Sequence, residues 1–421
     1  MIAETKDMLG RNRLTAVDQA LQIFLQQLPT GVIDTETITL EEALDRVVAG
    51  DIIARENLPA MSRSCMDGYA LSARDSYGAS ESMPAYLEIQ GEVLMGEVPN
   101  GRVKQGCCYK IPTGGILPTG SNSVVMFEHT IPVDETLVEI VKGVGEGGNI
   151  SRPGEDIAAG ACAITAGTRL RPQDLGLLAG LGFAEVEVYR RPRIAILSTG
   201  DEIISHEQPL LPGKIRNINS IALAAQVRRL HATVQHYGII PDNYDLFLAT
   251  MREAVQENDI VLFSGGSSVG VRDLGEKIIE TLGPPGILIH GTALKPGKPI
   301  ILGMSETTAV VGLPGHPVSA MTCFDLFIAP AIKQLAGQRR QRGQQEASVP
   351  AILTRNINSA PGRRDVVRVQ LEQKGDEVYA SPVLGKSGSI SVLARADGYF
   401  FIDEASQGHS EGDRIKAFLY L

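Results

Sequence analysis

Residues 190–200, RRPRIAILSTG, read as a basic start, a short buried strand and a glycine turn. The same kind of unit recurs downstream. INSIALAAQVRRL (218–230) reads as a helix, ATVQHYGII (232–240) as a strand, and NYDLFLATMREAVQE (243–257) contains a second helix. DIVLFSGG (259–266) is another buried strand, followed by the helix EKIIETLG (276–283). Strands alternating with helices at this pitch predict a doubly wound, mostly parallel sheet over 190–337. ILGM-SETT-AVVGLPG (301–315) adds a hairpin expected at its edge, and AMTCFDLFIAPAIKQLA (320–336) a helix after it.

Outward from this block the patterning changes. In the first fifty residues, Val17, Leu21, Phe24, Leu25 and Leu28 share one helical face, and Pro29 follows as a stop. A second helix is expected from Thr39, which opens a capping box with Glu42. Residues 58–147 carry short strands broken by Gly and Pro, such as AYLEIQGEV (85–93), CCYKIP (107–112) and TLVEIV (136–141), and predict a β-rich domain. Residues 148–189 are mixed and are expected to pack with 1–57 as a connecting layer. After the polar, basic GQRRQRGQQE (337–346), residues 338–421 are strand-rich again and predict a small C-terminal β-barrel. The fold class is thus a multidomain α/β chain: one doubly wound domain, a β-rich domain, a connecting layer and a barrel.

Composition bounds the function. A chain of 421 residues exceeds what one hydrophobic core serves, so about two to four domains are expected. The formal charge of -10, with no long basic stripe, argues against a nucleic-acid partner. Cys65, Cys107, Cys108, Cys162 and Cys323 form no CxxC pair, which predicts reduced thiols. The N-terminal MIAETKDMLGRNRL lacks an apolar h-region, and no run approaches the roughly 18 apolar residues of a spanning helix. A soluble, cytoplasmic protein with no membrane partner is the expectation.

Chemistry is expected beyond the carboxyl ends of the strands, where ligands bind in open α/β sheets. Three strand ends carry unusual loops: Thr199-Gly200-Asp201-Glu202, the glycine run Gly265-Gly266-Ser267-Ser268, and Leu313-Pro314-Gly315-His316-Pro317. Glycine turns let backbone N–H groups approach an anion, so a phosphate or oxyanion site is predicted here. Glu202, Asp242 and Asp273 fall at this same edge. Each has a bland alternative: Glu202 as a solvated loop acid, Asp242 and Asp273 as helix N-caps, the latter boxed with Glu276. Carboxylates at ~4 Å repel by about 4 kcal/mol at an effective dielectric of about 20, so their convergence would call for a cation. An all-oxygen set without a Cys/His cluster favours Mg²⁺ over zinc. Lys295 and Lys298, in LKPGKPI, would serve as point charges for an oxyanion, or simply as solvated loop lysines. SCMDGYA (64–70) and Gly154-Glu155-Asp156 read as turns on pattern alone.

These segments together resemble the molybdopterin molybdenumtransferases, the family of bacterial MoeA and the gephyrin E domain. The likeness is carried by SCMDGYA (64–70), PTGGILPTGSNSVVM (112–126), RPGEDI (152–157) and LSTGDE (197–202), then by SGGSSVG (264–270) with Asp273, KPGKP (295–299) and GLPGHPVSA (312–320). It spans almost the full length and keeps their order. The resemblance implies an elongated homodimer whose active site joins the doubly wound domain of one subunit to the MDGYA-bearing domain of the other. It implies adenylylated molybdopterin and molybdate (or tungstate) as substrates, Mg²⁺ as cofactor and AMP as product. The molybdopterin adenylyltransferase and client apoenzymes are implied as partners.

By motif, the resemblance assigns catalytic roles to Asp67, Thr113, Asp156, Glu202, Asp242 and Asp273, with the last three on the metal. Substrate contacts fall on Gly265, Gly266, Ser268, Lys295, Lys298, Pro314, Pro317, Arg363 and Ser387. Two positions depart from the bacterial pattern: Gly291 stands where a lysine is usual, and His316 where an asparagine is frequent. A tungstate-specific paralogue and a non-catalytic cofactor carrier are the competing readings. The adenylyltransferase resembles 190–337 alone and lacks the flanking domains.

Overall fold

The computed structural model describes residues 14–29, 33–265, 269–339 and 347–420, with backbone alone over 269–273. Its largest sheet has six strands, in the order Thr233–Ile240, Arg193–Thr199, Ile260–Gly265, Thr308–Leu313, Ile301–Ser305, Pro285–His290. The first four run parallel, and the last two pairings are antiparallel. Strands buried on both faces read as continuous apolar runs, and period two divides them between two cores. Ile194, Ile196, Ile260, Leu262 and Val311 face one side, against Leu223 and Val227 of the helix Ile218–Arg229 and Phe324 and Phe327 further on. Ala195, Leu197, Val261, Phe263 and Val310 face the other, against Phe247 and Met251 of Tyr244–Glu257 and Ile278 and Ile279 of Val269–Leu282. Helices therefore cover both faces.

Three expectations are corrected. The hairpin Ile301–Ser305/Thr308–Leu313 lies inside the sheet, because Pro285–His290 pairs outside it and takes the edge. The helix expected from Thr39 is a single 3₁₀ turn, Leu40–Glu42; Thr35–Thr39 is instead a strand paired with Glu185–Tyr189. Thr39 Oγ1 does reach Glu42 Oε2 at 3.2 Å, but no side chain caps the turn's backbone. The run Pro317–Leu335, 19 residues long, has the length and apolarity of a membrane span. It is 61% buried and carries Phe324, Phe327 and Ile328 into the main core, so it is a core helix.

The helix Val17–Gln27 forms as its periodicity predicts, with Val17, Ala20 and Phe24 buried. Its apolar face joins the core of the large sheet, away from the connecting layer. That layer is built from Thr35–Thr39 against Glu185–Tyr189 and Ile52–Ile53 against Cys162–Ile164, over Val48, Leu170, Leu178 and Val188. The β-rich region is a second six-stranded sheet, with Gly68–Leu71 held between Cys107–Ile111 and Ser123–Met126. A Cβ on Gly68 would lie 1.9 Å from the Val125 carbonyl oxygen, so this central strand tolerates only glycine there. In the C-terminal region five strands close into a barrel, and Leu294–Lys295 adds to it in parallel beside Arg364-Asp365. All five cysteines are free thiols.

Phe247 and Phe263 meet edge to face with centroids 5.5 Å apart, and both are buried. Phe247→Ala would empty a fully enclosed site, so urea unfolding followed by circular dichroism should show a loss of roughly 3–5 kcal/mol.

Candidate active site at the carboxyl edge of the large sheet

Register brings the strand ends into one row. Thr199 lies opposite both Ile240 and Gly265, and Ser264 lies opposite Leu313. The chain leaves Arg193–Thr199 toward one side of the sheet and returns on the other, which opens a crevice at this edge. The loops after these strands are therefore neighbours, although up to about a hundred residues separate them in sequence.

The first two loops hold the acids. Gly200, with φ at +136°, donates its N–H to the Ile240 carbonyl at 3.3 Å and joins one loop to the next strand. The Asp242 N–H donates to Asp201 Oδ1 at 3.2 Å. Asp242 is not a helix cap: Asn243 takes that role, accepting from the Leu246 N–H at 3.0 Å. Its carboxyl is pushed above the ordinary value, first by burial and then by the Asp201 and Glu202 carboxylates. Asp201, which no motif argument singled out, thus accepts from the Asp242 amide, and its charge with that of Glu202 bears on the Asp242 carboxyl. Asp273 is the fifth residue of Val269–Leu282, so the capping box with Glu276 does not form at that helix start. Gly266 and Ser268 lie outside the described residues.

Beside the acids lies a cavity of about 250 Å³, lined by Gly265, Lys295, Lys298, Pro314, Arg363 and Ser387 among others. These predicted substrate contacts come from five separate segments and two domains. Pro317 is buried just behind, as the first residue of its helix. Lys295 Nζ donates to Asp365 Oδ2 at 2.6 Å, and Ser359 Oγ donates to the same oxygen at 2.9 Å. Asp365 is only 5% exposed and its Oδ1 has no partner, so a buried carboxylate of the barrel fixes this lysine. Asn219 Nδ2 donates to the Gly315 carbonyl at 3.0 Å and pins the Pro314-Gly315 turn. Gly291 takes φ at +82° and lies outside the lining of this cavity.

A second group lies in the β-rich region. Asp67 Oδ1 accepts from the Thr113 N–H at 2.6 Å and from its hydroxyl at 2.9 Å, across 46 residues of sequence. The Thr113 amide foremost, then its hydroxyl, holds the exposed Asp67 carboxyl below the ordinary range. Asp156 is exposed on the adjoining turn, its N–H donating to the Leu58 carbonyl at 3.1 Å. None of these three lines the cavity at the sheet edge.

The sequence profile of the MoeA N-terminal region (domain I and II) matches residues 15–182, a probable molybdopterin binding domain matches 195–334, and the MoeA C-terminal region (domain IV) matches 350–420. The molybdopterin molybdenumtransferase of Haemophilus influenzae is 32% identical over 96% of this chain and 98% of its own. This chain belongs to the molybdopterin molybdenumtransferase family. The Bacillus subtilis relative of the same name is 31% identical over 98% of this chain and 95% of its own. The crystal structure of the Pyrococcus horikoshii OT3 molybdopterin biosynthesis MoeA protein superposes with a TM-score of 0.84 at 32% identity, covering 97% of this chain and 100% of that one. The family therefore accounts for the whole length.

The raised Asp242 carboxyl has a consequence for stability. A carboxyl with a raised folded-state pKa contributes stability that is full below the unfolded value of about 4 and is lost as pH rises through the folded value. Without added divalent cation, Asp242→Asn should raise the thermal midpoint by roughly 1–3 °C at about pH 7. Scans at about pH 3.5 should show no such gain.

Proposed function

We propose that this chain inserts molybdenum into molybdopterin to form the molybdenum cofactor, taking the adenylylated pterin and molybdate as substrates and releasing AMP. The observation that carries this reading is the meeting of the Lys295, Lys298 and Arg363 cations with the Glu202 and Asp242 acids at one sheet edge. The cationic half suits a tetrahedral oxyanion: the lysines act as point charges and the guanidinium as a planar fork. Asp365 holds Lys295 in place, so less ordering is needed when the anion arrives. The Gly265 and Pro314-Gly315 turns offer close backbone approach to phosphate oxygens.

Mg²⁺ fits the acidic half. The donors are all oxygen, and burial together with the Asp201 and Glu202 carboxylates already raises the proton affinity of Asp242. Among the described residues no three acidic, histidine or cysteine groups converge closely enough to hold a metal alone. One or two carboxylates completed by substrate phosphates and water is the usual mode for this ion. When bound there it would supply charge neutralisation at the phosphoanhydride; Glu202 and Asp242 would hold it, with Asp273 as the third acid that the resemblance assigns to it. The protein's own work is positioning and fixed charge.

Asp67, Thr113 and Asp156 stand apart from the cavity within one chain, which supports a homodimer whose second copy brings them to it. The Thr113 contacts keep Asp67 ionised, ready to orient a reacting oxygen or a metal-bound water. A cytoplasmic setting suits the free thiols.

With adenylylated molybdopterin and Mg²⁺, purified protein should release AMP only when micromolar molybdate or tungstate is added. The better oxyanion identifies the metal used. Glu202→Ala should slow release by about 100-fold and flatten its Mg²⁺ dependence. Unchanged turnover in that variant would remove the metal role, and tight pterin binding with no AMP under any oxyanion would leave a carrier.

A further inference from the structure

His316 follows the Pro314-Gly315 turn and is exposed where it lines the cavity. Its Nδ1 lies 2.8 Å from the hydroxyl of Ser387, which comes from the C-terminal domain 71 residues away. The backbone adds a second tie, with the Val318 N–H donating to the Ser387 carbonyl at 3.1 Å. Both side chains share the cavity with Lys295, Lys298 and Arg363, and among the described residues no carboxylate lines it. A neutral imidazole carries one N–H and one lone pair, and the partner of one nitrogen fixes the role of the other.

We infer that His316 is a direct donor to the oxyanion substrate and that Ser387 is the positioning residue that sets its tautomer. The hydroxyl donates to Nδ1, so the ring proton resides on Nε2, the nitrogen left for the cavity. The opposite arrangement would turn an Nε2 lone pair toward the oxygens of an incoming anion in a site otherwise built of cations. A fixed N–H adds direction to what the lysines supply only as charge. His316 thereby orients a tetrahedral oxyanion relative to the Pro314-Gly315 turn, and the barrel, through Ser387, takes part in recognition. This rests on the oxyanion reading of the cavity.

The test uses full-length protein and molybdate as the probe. Long-range ¹⁵N–¹H spectra, with the His316 signals assigned by their loss in His316→Asn, should show the Nε2-protonated form, and molybdate should shift that nitrogen. Ser387→Ala should give a mixture of tautomers, which a merely structural serine would not do. In calorimetry, His316→Ala should bind molybdate about tenfold more weakly. His316→Asn keeps an N–H donor and should stay within about threefold of the parent protein, which also serves if the alanine variant folds poorly. An Nδ1-protonated ring, or molybdate affinity unchanged in His316→Ala, overturns the inference while leaving the cavity reading in place. Failure of the parent protein to bind any molybdate overturns the cavity reading itself, and this inference with it.

Discussion

The parallel pairing of Arg193–Thr199 with a neighbour on each side is the constraint on which the site depends. Those backbone hydrogen bonds leave no freedom in where the strands end, so Thr199, Ile240 and Gly265 finish side by side. The loops that carry Glu202, Asp242 and Gly265 all hang from that row. Apolar packing on both faces of the sheet makes the row rigid, since a one-residue slip would turn each strand's two sets of side chains into the wrong cores. Loops on such a frame can carry repelling acids and clustered cations without collapsing.

The second constraint is the docking of the barrel on the sheet edge. Leu294–Lys295 belongs by sequence to the doubly wound block yet pairs with Arg364-Asp365 of the barrel. The buried Arg368 donates to the Val366 carbonyl at 2.7 Å and to the Thr322 hydroxyl of the long core helix. Burying this guanidinium costs desolvation, which these two hydrogen bonds offset in part, while its Nε finds no acceptor among the described residues. The result is a cavity whose lysines, arginine and serine are placed by different domains.

Much of this was legible in the residues. The buried runs 194–197 and 260–263, with a glycine turn after each, specify strand and turn through properties local to the chain. The helix over Val17–Gln27 is likewise a local reading that holds in the fold. Where the reading failed, tertiary pairing won. Thr35–Thr39 became a strand because Glu185–Tyr189 offers it a complete ladder, and Pro285–His290 took the sheet edge because the adjacent hairpin presents unpaired backbone there. Asp242 looked like an N-cap until Asn243 was seen to fill that position.

By itself the sequence determined most element types, the doubly wound topology and the glycine loops at the sheet edge, because periodicity, turn residues and motif order are properties of neighbours along the chain. Which side chains meet was decided only by the tertiary structure. Asp201 beside Asp242, Asp365 under Lys295, and Ser387 against His316 each join residues whose proximity no local pattern encodes. Strand register and domain docking set those distances.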